Sequence, residues 1–340
     1  MGRTNDTVKI LAAIQKNMDK KSWPCIYGGC DQHAINSHLL QRHGVLDRVV
    51  ENGHLYEVKR CDYYKWNRNP PIEFKMVGLN RAISLPLFCH EHDSRLFRSI
   101  EQDEIDCSDY RMQLLLSYRT VCAEIRKKEM NIEFLGRMKK SSTLQFLEDV
   151  IDMSITGNKL GIRDLDGYKS LLEQELEKIS HNFFFVCYRY PLVKVYASSV
   201  FSYHPNDAVA RIADSCTVWD NGFVHIIPAE DCTCIILGYH NEHTNSLLQE
   251  YVVSWKDLDM ASLEDYSFSI GKVEKVTEKY IEIKYFDYMA KWDEDEFDMV
   301  YYDDISVVSF GKRYIKYMSE NACNYDISQY VDFNLFNGAF

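Results

Sequence analysis

CIYGGC at residues 25–30 and FCHEHD at residues 88–93 are the two stretches on which the reading of this chain turns. In the first, two thiols bracket a pair of glycines, which lets the backbone turn sharply enough for both sulfurs to face one point. In the second, Cys89 and His92 stand three apart, just where apolar Leu96, Phe97 and Ile100 announce a helix. Both then lie on its first turn and share a face. Two thiolates from a knuckle, with a thiolate and an imidazole from a helix start, make a tetrahedral Cys3His set, the donor chemistry of structural Zn2+. Cys25, Cys30, Cys89 and His92 are the expected zinc ligands, with Cys61 and His90 as the nearest substitutes. Burial is the simpler fate of any one cysteine; the pairing of C-x4-C with C-x2-H argues against it here.

Outward from this pair, the chain divides by pattern. Before it, Val8, Ile10, Leu11, Ile14 and Met18 recur at helical spacing and stop ahead of Trp23-Pro24, which predicts an entry helix over residues 6–20. Residues 1–102 are expected to form a zinc module with this helix attached. Residues 103–181 return to helical periodicity in MQLLLSYRTVCAEIRKKEMNIEFL and YKSLLEQELEKI. Residues 182–265 carry short alternating runs of β-branched and aromatic residues, FFFVCYRY, PLVKVYASSVF, GFVHIIPA and CTCIILGYH, and read as antiparallel sheet. Residues 266–320 give four or five further strands with charged turns, the pattern of a small SH3-like or Sm-like barrel, and residues 321–340 form a tail. The expected class is α+β: a zinc module, a helical middle and a β-rich C-terminal region.

Composition narrows the function classes. The 340 residues are 46% hydrophobic and 13% aromatic, which suits a folded globular chain with a sizeable core. No run of about 18 apolar residues is present, and the first 21 lack the apolar core of an export signal, so a cytoplasmic protein without membrane contact is expected. The eleven cysteines then read as reduced thiols and metal ligands rather than disulfides. Net charge is −12 overall, but residues 1–140 carry +5 and residues 141–340 carry −17. Phosphate contact therefore belongs to the N-terminal part, and the acidic half suits solubility or a basic protein partner. Lys59, Arg60, Lys65, Arg68, Lys75 and Arg81, interleaved with Tyr63, Tyr64 and Trp66, offer a nucleic-acid surface or equally the solvated face of a hairpin. The glycines spell neither a P-loop nor a dinucleotide fingerprint. Cys232 and Cys234 share one face of an expected strand and, lacking a second pair, read as core.

Between the ligand pairs lies AINSHLLQRHG, residues 34–44. A knuckle, a hairpin and a helix that supplies the last ligands is the plan of a treble-clef (ββα-like) zinc finger, and with this insert the chain resembles the HNH, or His-Me finger, nucleases. The resemblance covers about eighty residues, like that of uncharacterised bacterial proteins with an FCxxHD motif, and implies metal-dependent phosphodiester hydrolysis in a setting such as defence. It places His38 at the general base and Asp93 at the position that holds a catalytic Mg2+ or Mn2+. Ser84 stands where the family carries the asparagine that orients the base. His33 and His43, which flank His38, read as surface or packing residues. The competing expectation is a zinc-stabilised module that binds nucleic acid or protein without cutting, or a scaffold subunit of an oligomer.

Overall fold

The computed structural model describes residues 2–39, 45–50, 52–60, 63–65, 72–82, 84–102, 105–191, 195–202, 218, 220–242, 248, 249, 252 and 308–310. The entry helix α1 (Gly2–Met18) forms as its spacing predicts, and turns Leu11 and Met18 inward. They pack with Trp23 and with Phe134, Leu135 and Met138 from far along the chain. Next come β1 (Asn36–His38), the single turn α2 (Asp47–Val49), the hairpin β2 (His54–Arg60) and β3 (Ile72–Gly78), and β4 (Ser84–Pro86). The predicted helix after Cys89 is α3 (His90–Gln102).

Two helices of 30 residues each, α4 (Tyr110–Lys139) and α5 (Glu148–Glu177), fill the middle. Asp109 starts α4 by accepting the Met112 N–H at 2.7 Å, a cap worth about 1 kcal/mol. From Met112 to Arg126 every residue of α4 is buried, so this is the central shaft of the molecule rather than a surface helix with one apolar stripe. The pair runs antiparallel: Tyr110 donates to Glu175 at 3.1 Å and Tyr118 to Glu173 at 2.7 Å, while Lys139 at the far end meets Asp152 at 2.7 Å.

The strands β5 (Phe183–Pro191), β6 (Val195–Ser202), β7 (Asn221–Pro228) and β8 (Cys232–His240) follow, and β9 (Val308–Phe310) completes the set. They join β2 and β3 in one seven-stranded sheet of order β3-β2-β9-β6-β7-β8-β5, antiparallel at every step. β1 and β4 form a separate two-stranded ladder. The mixed α+β class is as expected. The expected SH3/Sm-like barrel lies outside the described residues except for β9, which is a strand of this open sheet, and no closed barrel occurs among the described residues. The sheet thus draws strands from three stretches that sequence pattern separates: the hairpin at 54–78, the run at 183–240 and the short strand at 308–310.

Two features of this sheet carry predictions. Gly238 pairs with Phe185, and a Cβ at 238 would lie 2.2 Å from the Phe185 ring and 2.8 Å from the Phe184 carbonyl oxygen. The ring can turn but the backbone oxygen cannot yield cheaply, so Gly238→Ala should cost about 1–3 kcal/mol, read as a lower urea midpoint. Beneath the sheet, His225 is wholly buried between α4 and β6: the Ser117 hydroxyl lies 3.1 Å from Nε2 and the Ser198 hydroxyl 2.6 Å from Nδ1. Ser198 also meets Thr120 at 2.6 Å, which gives the polar centre of the core a closed network.

Burial pushes the His225 imidazole down to about 3. Above the ordinary histidine value of about 6.5 the ring is neutral whether the chain is folded or unfolded. As pH falls from there toward 3, the unfolded chain takes up the proton and the folded one does not. The native state should therefore lose about 3–5 kcal/mol over that window. His225→Asn removes this titration, so its stability deficit against the parent should shrink on acidification in paired urea titrations; a constant deficit would mean the ring is not kept neutral.

Candidate metal centre

The knuckle is built by backbone. Cys30 donates its N–H to the Tyr27 carbonyl at 3.2 Å, closing the turn, and Gly29 takes φ +74°, a left-handed conformation that favours glycine. Two long-range bonds dock this turn beside the start of α3: Ile26 N–H to Leu87 O and Ile35 N–H to Phe88 O, each 2.8 Å. The Arg126 guanidinium, buried on α4, holds the Pro24 carbonyl at 2.6 Å from below. The two halves of the site are thus fixed to one another by main chain before any ion is considered.

The result brings together the four residues expected from spacing. Ligand atoms of Cys25, Cys30, Cys89 and His92 all lie within 4.8 Å of one another, and this is the set of that kind among the described residues. Cys30 Sγ is 3.9 Å from Cys89 Sγ; His92 Nδ1 is 3.6 Å from Cys25 Sγ and 3.2 Å from Cys89 Sγ. Bonds of about 2.3 Å to sulfur and 2.0 Å to nitrogen at tetrahedral angles place such atoms roughly 3.5–3.8 Å apart. The cluster therefore can hold a metal ion such as Zn2+ with little rearrangement. The Tyr27 ring stacks on His92 at 4.1 Å and sets its tilt, and Arg95 lies over the other ring at 5.6 Å.

The thiols are unequal. Burial drives Cys25 up to about 11, against the Cys89 and Tyr27 amides that pull it down. Burial also works to raise Cys89, but the backbone N–H groups of His92 and Glu91 and the Cys30 and Cys25 thiols outweigh it and hold this sulfur below its usual value. A thiolate at a helix start is stabilised in this way, and Cys89 immediately precedes α3.

The expected catalytic positions fall on β1, β4 and the first turn of α3. His38 closes β1 and stands directly across the ladder from Ser84. The Ser84 hydroxyl, however, donates to the Arg81 carbonyl at 3.1 Å. Asp93, on the first turn of α3, has its Oδ1 3.6 Å from Arg119 Nη2. Burial raises its carboxyl; Arg119, a Ser37 hydrogen bond and the charge of His38 lower it, and Glu101 raises it further. His38 Nε2 and Asp93 Oδ1 are both buried and make no hydrogen bond.

Two participants were missed by sequence reasoning. Ser37 is fully buried, accepts the Phe88 N–H at 3.3 Å and hydrogen-bonds Asp93, so it ties β1 to the start of α3. Arg119, from the middle of α4, is 1% exposed, bonds Glu101 at 2.6 Å and lies 3.7 Å over the Phe97 ring. A charged residue inside the apolar run LLLSYRTVCAEI was the signal that could have found it.

Of the expected basic surface, Lys59 and Lys75 are strand positions whose register partners are Glu73 and Glu57, while Tyr63 is buried and Tyr64 exposed. Arg68, Trp66, His43 and Cys61 lie outside the described residues. His90 is exposed, and so is His33, which bonds Ser22 at 3.1 Å as a surface residue. No helix among the described residues is long and apolar enough to cross a membrane. No family model, curated protein or solved structure matches this chain.

Proposed function

We propose that this chain is a metal-dependent phosphodiesterase of the HNH type, with His38 as general base and Asp93 as anchor of a divalent cation. One observation carries the reading: His38 Nε2 and Asp93 Oδ1 are buried without hydrogen-bond partners beside the Cys3His cluster. Buried polar atoms without hydrogen bonds cost stability, and a site that keeps two of them retains hydrogen-bonding capacity for a ligand, although Asp93 Oδ1 also lies 3.6 Å from Arg119. Mg2+ or Mn2+ on the Asp93 carboxylate would supply Lewis acidity toward a phosphoryl oxygen. The work of the chain's own residues is separate: His38 Nε2 takes the proton from the attacking water, and Ser37 holds Asp93 in place. Zn2+ at Cys25, Cys30, Cys89 and His92 has no part in the chemistry and sets the frame.

The test is cleavage of DNA and RNA with added Mg2+ or Mn2+. His38→Ala should slow it by roughly 100-fold or more while the zinc content stays unchanged. Wild-type protein that cuts neither polymer with either ion would sink the proposal.

A second reading rests on Arg119. Its guanidinium already stands 3.6 Å from Asp93, where a catalytic cation would otherwise bind, and Ser84 does not orient His38. A zinc-stabilised module that binds nucleic acid or protein without cutting, with the acidic half taking a basic partner, is the function this arrangement favours; retention of nucleic acid without metal-dependent cleavage would select it.

A further inference from the structure

Four other cysteines lie in or against the main core. Cys187 on β5 pairs with Ile236, and Arg189 with Cys234 on β8, so the alternation of strand side chains puts Cys187, Arg189, Cys232 and Cys234 on one face of this pair. Cys107, in the turn ahead of α4, is 1% exposed and lies in the main core together with Cys234, 2% exposed. The partly buried Cys187 and Cys232 pack against that core, and the charges of Cys187 and Cys234 act on Cys107. Cys232 Sγ lies 3.9 Å from Cys234 Sγ. Arg189 shares that face of the strand pair, and the charges of all four sulfurs act on its guanidinium.

We propose that Cys107, Cys187, Cys232 and Cys234 form a second metal centre that takes one thiophilic divalent ion, with Zn2+ as the natural occupant. Spacing separates an ion from a disulfide. Cys232 and Cys234 lie two apart on one strand, so their Cβ atoms are about 6.6 Å apart, and Cys187 and Cys234 are diagonal neighbours across the pair at a similar separation. An S–S bond needs Cβ atoms about 3.5–4.5 Å apart and is out of reach for both pairs. A shared ion needs only that sulfurs approach to about 3.8 Å, which Cys232 and Cys234 already do. The set is more open than the Cys3His cluster, and rotation of the half-buried Cys187 and Cys232 side chains closes it. Each thiol exchanges its S–H bond for a bond to the ion and releases a proton; no electron is transferred. Four thiolates on a dication leave a net charge of −2, and Arg189 stands where it offsets that charge.

The test uses the full chain, purified reduced, with zinc counted by elemental analysis and by titration of the metal-free protein with Co2+. Wild type should hold two ions per chain, and Cys187→Ser with Cys232→Ser should leave one. A Cys30→Ser, His92→Ala protein should keep one as well, which separates this centre from the first. Because serine variants can fail to fold, alkylation of the unaltered protein is a second measurement: Cys187 and Cys232 should be protected at least tenfold until a chelator is added. One ion per chain in wild type, with alkylation indifferent to the chelator, overturns the proposal. So does a disulfide from Cys107 to Cys187 or Cys234 in protein that takes up a single ion.

Discussion

Cys89→Ser should release zinc from the Cys3His cluster and unfold the N-terminal module. Cys89 supplies more than a ligand: its N–H donates to Cys25 Sγ at 3.3 Å, its sulfur lies within reach of Cys30 and His92, and it is 5% exposed within the main core. Structural zinc binding in small fingers is worth about 10–16 kcal/mol, while a whole domain is commonly stable by about 5–15 kcal/mol. Loss of the ion therefore removes stability comparable to the entire margin. The expected readings are a zinc content lower by one ion per chain and a fall in Tm of more than about 10 °C. A chelator added to wild type should reproduce both. A variant that keeps its full zinc content and melts with wild type would show that these side chains are ordinary buried thiols.

Arg119→Met should cost about 3–5 kcal/mol, the penalty for removing one partner of a buried ion pair. Methionine keeps much of the side-chain volume, so the loss isolates charge and hydrogen bonding. Glu101 forfeits its 2.6 Å partner, Asp93 loses the cation at 3.6 Å, and the Phe97 ring loses a guanidinium packed on its face. Adding Glu101→Gln to the variant should return part of the deficit, because a neutral amide tolerates partial burial better than a carboxylate that has lost this cation. Urea unfolding of both single variants and the pair measures this as a cycle. A cost below about 1 kcal/mol would mean that solvent reaches Arg119 and that the ion pair behaves like an exposed one.

The candidate site was legible where chemistry is written locally. Paired ligand spacing found Cys25, Cys30, Cys89 and His92, because C-x4-C and C-x2-H each fix two donors on one short segment. Helical and alternating patterns likewise placed α1, α4, α5 and the strands from β5 to β8. Cys232 and Cys234, read as core, do lie in or against the main core, but local reading could not show that Cys107 and Cys187 join them there, since these come from a turn more than a hundred residues earlier and from another strand. The network of Ser117, Ser198 and His225 has no local signature, because each residue is unremarkable on its own segment and only packing of α4 under β6 and β7 joins them.

By itself, then, the sequence determined which segments are helix, strand and knuckle, and which four donors can share an ion. Tertiary structure alone decided that the hairpin at 54–78 and β9 enter the same sheet as β5–β8, that Arg119 stands 3.6 Å from Asp93, and that Cys107 and Cys187 share a core with Cys232 and Cys234. The physical reason is range. Periodicity and ligand spacing are set by backbone geometry within a few residues, whereas strand order and buried pairing depend on which distant surfaces exclude water together.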